Sequence, residues 1–276
     1  MNSRAIVARA LSICAVVALA SSSAFAQGRI IAIGDEWLLS DFSFTNQTSQ
    51  TQQLASNIAG YFGGAASQFA VFSTTVPLSL GGRGTNNASL ASYMTSLGHT
   101  WSINPAGTFT LANLQQYNGV FVDGAAVGGN AASVSVLTQY VQGGGNVLVM
   151  AGTGDIGGAV GEANAWNPFL NTFGLAFGSE YFAVGSSLLQ IPAVPTAHPL
   201  GSLVSSVTWG FGQTALDIDL SNPLNEVALH GNFTGFSPLP TSGNPAALPI
   251  IATYNIPAPA AAALLPLLGL ISRRRR

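Results

Sequence analysis

Asp35, Glu36, Asp41, Asp123, Asp155 and Glu162 are the residues of this sequence best placed to do chemistry. The first three follow the apolar run Arg29–Ile33, Asp123 closes the run Gly119–Asp123, and the last two follow the run Asn146–Ala151. Glycines surround them, Trp37 stands beside the first group and Trp166 just beyond the last. Carboxylate oxygens mixed with carbonyl-rich glycine loops suit a hard cation, Ca²⁺ or Mg²⁺. A pair among Asp35, Glu36, Asp123 and Asp155 would instead suit acid/base hydrolysis of a glycan, given a separation of about 5–9.5 Å. Trp37 and Trp166 offer indole faces on which sugar rings stack. A third reading is structural: Asp and Glu at strand ends cap the following turns and helix N-termini. Residue types alone leave these three open, and no residue is assigned as catalytic.

Several chemistries are excluded. The chain has 276 residues and no lysine, so Schiff-base chemistry and a phosphate-loop lysine are absent. Gly152-Thr153-Gly154 with Gly157-Gly158 fits no dinucleotide fingerprint. There is no G-x-S-x-G elbow, and His99, His198 and His230 are scattered without zinc-ligand spacing. Cys14 is the only cysteine and lies near the N-terminus, so the body has no thiol chemistry and no disulfide. Between the two ends, Arg29 and Arg83 face ten carboxylates, a formal charge of −8. That leaves no cationic surface for nucleic acid.

The elements that position the carboxylates read as strands and helices in alternation. Gly119–Asp123 is a strand; Val134, Leu137 and Val141 share one face of a following helix; Gly143–Gly145 breaks it; Asn146–Ala151 is the next strand. This is a right-handed β-α-β unit in a buried parallel sheet. Arg29–Ile33, Gln68–Phe72 and His99–Ile103 are further strands. Thr51–Phe62, a helix capped by Asn87 with Leu90, Met94 and Leu97 inward, and Thr110–Tyr117 are helices. A last helix turns Trp166, Phe169, Leu170 and Phe173 inward. Beyond it short β-like runs dominate: Ser206–Trp209, Thr214–Ile218, Glu226–His230 and Ile250–Asn255. The expected fold is α/β, a flavodoxin-like three-layer parallel sheet with a β-rich C-terminal extension. Ligands in such sheets bind beyond the carboxyl ends of the strands, where the carboxylates would converge.

The ends read as addresses. Residues 1–26 have the parts of a secretory signal peptide: Arg4 and Arg9, the apolar stretch Leu11–Ala20, and the small-x-small cleavage site Ala24-Phe25-Ala26. Residues 27–255 form one α/β domain. Residues 256–276 carry the apolar stretch Ala258–Ile271 and then Arg273, Arg274, Arg275 and Arg276. That stretch is short for a bilayer span, which needs about 17–25 residues, and the arginines would hold its end on the cytoplasmic side.

The tail resembles the PEP-CTERM sorting signal of Gram-negative bacteria that make exopolysaccharide. Pro257-Ala258-Pro259 takes the place of its Pro-Glu-Pro motif, with alanine where glutamate is usual. The resemblance implies an exosortase and the secretion machinery as partners, membrane contact through the C-terminal segment, and export to the cell surface or an exopolysaccharide matrix. The body looks like the class I glutamine amidotransferase-like group, including ThuA-like proteins. The likeness rests on Tyr117–Val122, the helix after it, Tyr140–Val149 and His198-Pro199-Leu200. That group's G-x-C-x-G turn is replaced by Gly152-Thr153-Gly154, so cysteine-dependent glutaminase chemistry is excluded. The expectation is an exported, non-catalytic envelope or matrix protein that binds glycan or a divalent metal at its strand-end rim. The alternative is a hydrolase of extracellular polysaccharide.

Overall fold

Strand β4 (Gly119–Asp123) and strand β5 (Asn146–Met150) are buried at every residue, as expected of near-continuous apolar runs covered on both faces. In the computed structural model they pair in parallel, Gly119 against Asn146 through Asp123 against Met150. The structure describes residues 28–72, 89–103, 105–106, 108–123, 130–152, 154, 156–182, 188–234 and 246–256. The signal peptide with Ala24 and Ala26, the loop carrying Arg83, the Asn87 cap, Asp155 and the whole tail from Pro257 lie outside the described residues.

Parallel strands β1 (Arg29–Ile33), β2 (Gln68–Phe72) and β3 (Thr100–Ile103) join β4 and β5. Four later strands extend the sheet: β7 (Leu189–Pro195), β8 (Ser206–Trp209), β10 (Asn225–Gly231) and β11 (Leu248–Asn255). The sheet has nine strands in the order β3-β2-β4-β5-β1-β11-β10-β7-β8. β1 is the seam, parallel to β5 on one side and antiparallel to β11 on the other. Strands β6 (Leu175–Tyr181) and β9 (Gln213–Asp217) form a separate antiparallel pair. The protein is thus mixed α/β, with five parallel strands and a β-rich continuation.

Alternate strand residues face opposite cores. Ile31, Ile33, Phe121, Leu148 and Met150 pack with Leu54, Ile58 and Phe62 of α2 (Thr48–Phe62), and with Leu90 and Met94 of α3 (Ser89–Ser96). Ile30, Ala32, Val120, Val122, Val147 and Val149 pack with Leu137 and Val141 of α5 (Ala131–Gln142). Trp166, Phe169 and Leu170 of α6 (Gly158–Leu170) join that second core. Burying a Leu- or Phe-sized side chain is worth about 1.5–3 kcal/mol, so these two cores dominate what holds the helices to the sheet.

Several expectations need correction. Leu97 is 40% exposed, because the helix stops at Ser96 and the chain turns away. The helix expected over Thr110–Tyr117 is a single turn, α4 (Leu111–Leu114), capped by the Thr110 side chain. β6 and β7 are strands the sequence reading passed over. β7 carries Pro192 and Pro195, which argue against a strand, yet it pairs with β8 from Leu189 to Pro192 and with β10 through Pro195. Among the described residues no helix is long and apolar enough to cross a membrane.

Candidate functional site

β1 ends at Ile33, and Gly34 is held on both sides: its N–H donates to Ile250 O at 2.9 Å and its carbonyl accepts from Gln213 N at 2.8 Å. Asp35 therefore emerges in a fixed position at the seam of the sheet. It caps a 3-10 turn over Glu36–Leu39, its Oδ1 accepting from Trp37 N at 2.9 Å. Its Oδ2 accepts from Gly210 N at 2.5 Å. The side chain is fully buried. Burial pushes its carboxyl up to about 8, opposed by the Gly210 and Trp37 amides and reinforced by the charge of Glu162.

Glu162 comes from α6 and is buried as well. Its Oε2 accepts from Gly152 N and its Oε1 from Gly154 N, both at 2.8 Å. The glycine loop after β5 is thereby held by one carboxylate, with a geometry that stands in for a bound anion at two backbone amides. Gly152 lies against Asp35: a Cβ there would sit 2.8 Å from Asp35 Cα. Tyr181 at the end of β6 completes the group. Burial drives its phenol well above the usual tyrosine value, and Glu162 adds to the rise. Gln213 pairs with Tyr181 across β6 and β9. Its side-chain amide is fully buried, and neither polar atom has a hydrogen-bond partner among the described residues.

The remaining expected site residues divide. Asp123 ends β4 with its carboxyl buried beside β5. Glu36 is buried in the first turn of the 3-10 segment. Asp41 opens α1 (Asp41–Asn46), and its Oδ1 accepts from Ser89 N at 2.8 Å, which fastens the start of α3. Asp155 lies outside the described residues. Among the described residues no group of three or more His, Cys, Asp or Glu side chains is placed to hold a metal ion. Asp35, Glu162 and Asp41 turn oxygens to backbone amides.

Trp166 must be corrected outright. It is 1% exposed inside the second core, so its indole cannot stack on a sugar. Trp37 is half-buried and packs on Gly210, where a Cβ would lie 2.3 Å from Trp37 Cδ1. Its ring meets Phe42 edge-on at 6.5 Å, and Phe42 is 39% exposed. Sequence reasoning missed Gly210, Gln213 and Tyr181, which come from the second half of the chain. A glycine flanking a tryptophan run, Trp209-Gly210-Phe211-Gly212, was the available signal.

A second polar cluster marks the start of β1. The Arg29 guanidinium lies 4.7 Å over the Tyr61 ring and donates to the Tyr61 carbonyl. His198 meets the same ring edge-on at 5.0 Å, and its Nδ1 accepts from Leu200 N at 3.2 Å. Burial, with the Arg29 charge adding, lowers the His198 ring to about 4. His198 is thus a neutral capping histidine.

No family model matches the chain, and no curated protein sequence is similar to it. One solved structure with a related course is a protein of Bacteroides uniformis described as ThuA-like, at 14% identity and a TM-score of 0.46, covering 68% of this chain and 78% of that one.

Proposed function

We propose that this is an exported protein, sorted to the cell surface or an exopolysaccharide matrix by its C-terminal segment, whose flavodoxin-like three-layer body is non-catalytic. One observation carries the non-catalytic part. Asp35 and Glu162, the two strand-end carboxylates brought together, each accept two backbone N–H bonds and are fully buried. An acid or base must reach its substrate within hydrogen-bond distance, and these oxygens are turned to the chain itself. The export part rests on the residue pattern of the two ends. Trp37 with Phe42 is the surface left at the rim for glycan contact.

The test is localisation together with activity. The full chain is expressed in an exopolysaccharide-producing Gram-negative host with and without its exosortase, and fractions are probed for it. Expected is surface or matrix material that depends on the exosortase and on residues 257–276, with no release of reducing ends from the polysaccharide. Retention in the cytoplasm would overturn the sorting, and hydrolysis abolished by E162Q would overturn the non-catalytic reading. One observation favours that second reading: Asp35 is held near 8 beside a second carboxylate, the pairing that separates acid from base in hydrolases.

A further inference from the structure

The two ends of the body meet at one edge of the sheet. Ile256 N donates to Gly28 O at 2.8 Å, and Arg29 pairs with Asn255. This is the edge where the parallel strands begin, opposite the rim that carries Asp35 and Trp37. The five residues of β1 separate the two, about 16 Å of extended chain.

The loop between β9 and β10 lies at the same edge. β10 begins at Asn225, which pairs with Tyr254, and Asn255 N donates to Leu224 O at 3.0 Å. The loop reads Asp217-Ile218-Asp219-Leu220-Ser221-Asn222-Pro223-Leu224. Its polar side chains bond close to home. Asp217 Oδ1 accepts from Asp219 N at 3.0 Å and from Asn225 Nδ2 at 3.3 Å, and Ser221 Oγ donates to Asp219 Oδ1 at 2.6 Å. The two aliphatic side chains that alternate with them are left outside: Ile218 is 51% exposed and Leu220 89%. Single exposed aliphatic residues are common, so exposure alone assigns nothing. Their place beside the chain's exit does.

The apolar stretch Ala258–Ile271 starts two residues beyond Ile256. Two extended residues reach at most about 7 Å. A bilayer that takes up that stretch therefore comes within about 7 Å of Ile256, and there is no linker on which the body could stand off. The charges at this edge decide the kind of lipid. The Arg29 guanidinium is engaged by the Tyr61 ring and carbonyl and by Asn255. Asp217, Asp219 and the exposed Glu226 are carboxylates. Basic segments are what anionic lipid attracts, so a contact here is apolar and suits zwitterionic lipid.

We propose that in the tail-bearing protein this edge rests on the bilayer, with Leu220 and Ile218 entering the headgroup boundary of zwitterionic lipid and the strand-end rim facing away. The proposal rests on the reading of residues 256–276 as a membrane-contacting segment. It gives the two aliphatic side chains an apolar surrounding at the depth where interfacial segments bury theirs. It also turns Trp37 and Phe42 outward, toward polysaccharide and away from lipid.

The test reads depth at single positions. The chain is purified with its tail from the host lacking the exosortase and reconstituted into phosphatidylcholine vesicles. Cys14 is the only cysteine, so a C14S background accepts one label at a chosen site. L220C carries an environment-sensitive fluorophore. V160C, 55% exposed in the first turn of α6 at the opposite edge, is the control. Both chains should float with the vesicles. The L220C label should shift to the blue, be quenched by doxyl-labelled lipid, and be about threefold or more less quenched by aqueous iodide than the V160C label, as for a side chain at the headgroup boundary. Flotation with the two labels equally open to iodide would overturn the proposal and leave the sorting reading standing. So would shielding of V160C without shielding of L220C. Chains that fail to float would overturn the membrane reading of the tail, and this inference with it.

Discussion

Gly210 donates its backbone N–H to Asp35 Oδ2 at 2.5 Å across 175 positions of sequence. That bond joins the turn after β1 to the loop between β8 and β9, and so fastens the antiparallel half of the protein to the end of its central parallel strand. Because Asp35 is buried, its protonation is coupled to folding.

The folded-state value of Asp35 is raised to about 8 from 3.8. Between those values the folded chain keeps a proton that the unfolded chain has lost. Stability is therefore full below about pH 4 and falls as pH rises toward 8, by at most about 1.4 kcal/mol per unit. D35N should flatten this part of a Tm-against-pH curve. Its absolute Tm should drop, since the amide nitrogen cannot accept from Gly210 or Trp37.

His198 acts in the opposite sense. Its folded-state value is lowered to about 4 from 6.5. The unfolded chain takes up a proton first, so this contribution is present above about pH 6.5 and is lost as pH falls toward 4. Between pH 4 and 6.5 the two slopes oppose, and the clearest decline is expected from pH 6.5 to 8. H198N keeps an acceptor for Leu200 N and should remove only the acid-side term, which urea unfolding at several pH values would resolve.

E162Q replaces one acceptor with a donor facing a backbone N–H. A loss of about 1–3 kcal/mol is expected, with faster amide exchange at Gly152 and Gly154 than at the core of β5. Unchanged exchange at those two amides would remove Glu162 as the group that holds the loop.

The two tryptophans should separate cleanly. W166A empties a buried core position and should cost about 3–5 kcal/mol in denaturant unfolding. W37A, at the half-buried rim, should cost under about 2 kcal/mol and should lower retention on immobilised exopolysaccharide. Equal retention of W37A and the parent would remove Trp37 from glycan contact.

Much of the body was legible because local rules and burial agree there. β1, β2, β4 and β8 have the bounds of their apolar or β-branched runs, and the inward stripe of α6 falls where helical spacing puts it. β7 was not legible, because Pro192 and Pro195 speak against a strand and only its partners β8 and β10 override them.

The candidate site divides in the same way. That carboxylates stand at strand ends, that no thiol or lysine is available, and that the body is poor in cations are all properties of composition and order, and the sequence alone determined them. Which carboxylates meet, and what they bond, was decided only in three dimensions. Asp35 and Glu162 come together because β1 and β5 are neighbours, although β1 to β5 spans more than a hundred residues. Their partner amides belong to loops whose direction is set by the packing of α6 and of the β6–β9 pair. Hydrogen-bond partners and desolvation depend on distance in space. A linear pattern records residue type and spacing, so it could place these groups at one edge of the sheet but not say to what they would bind.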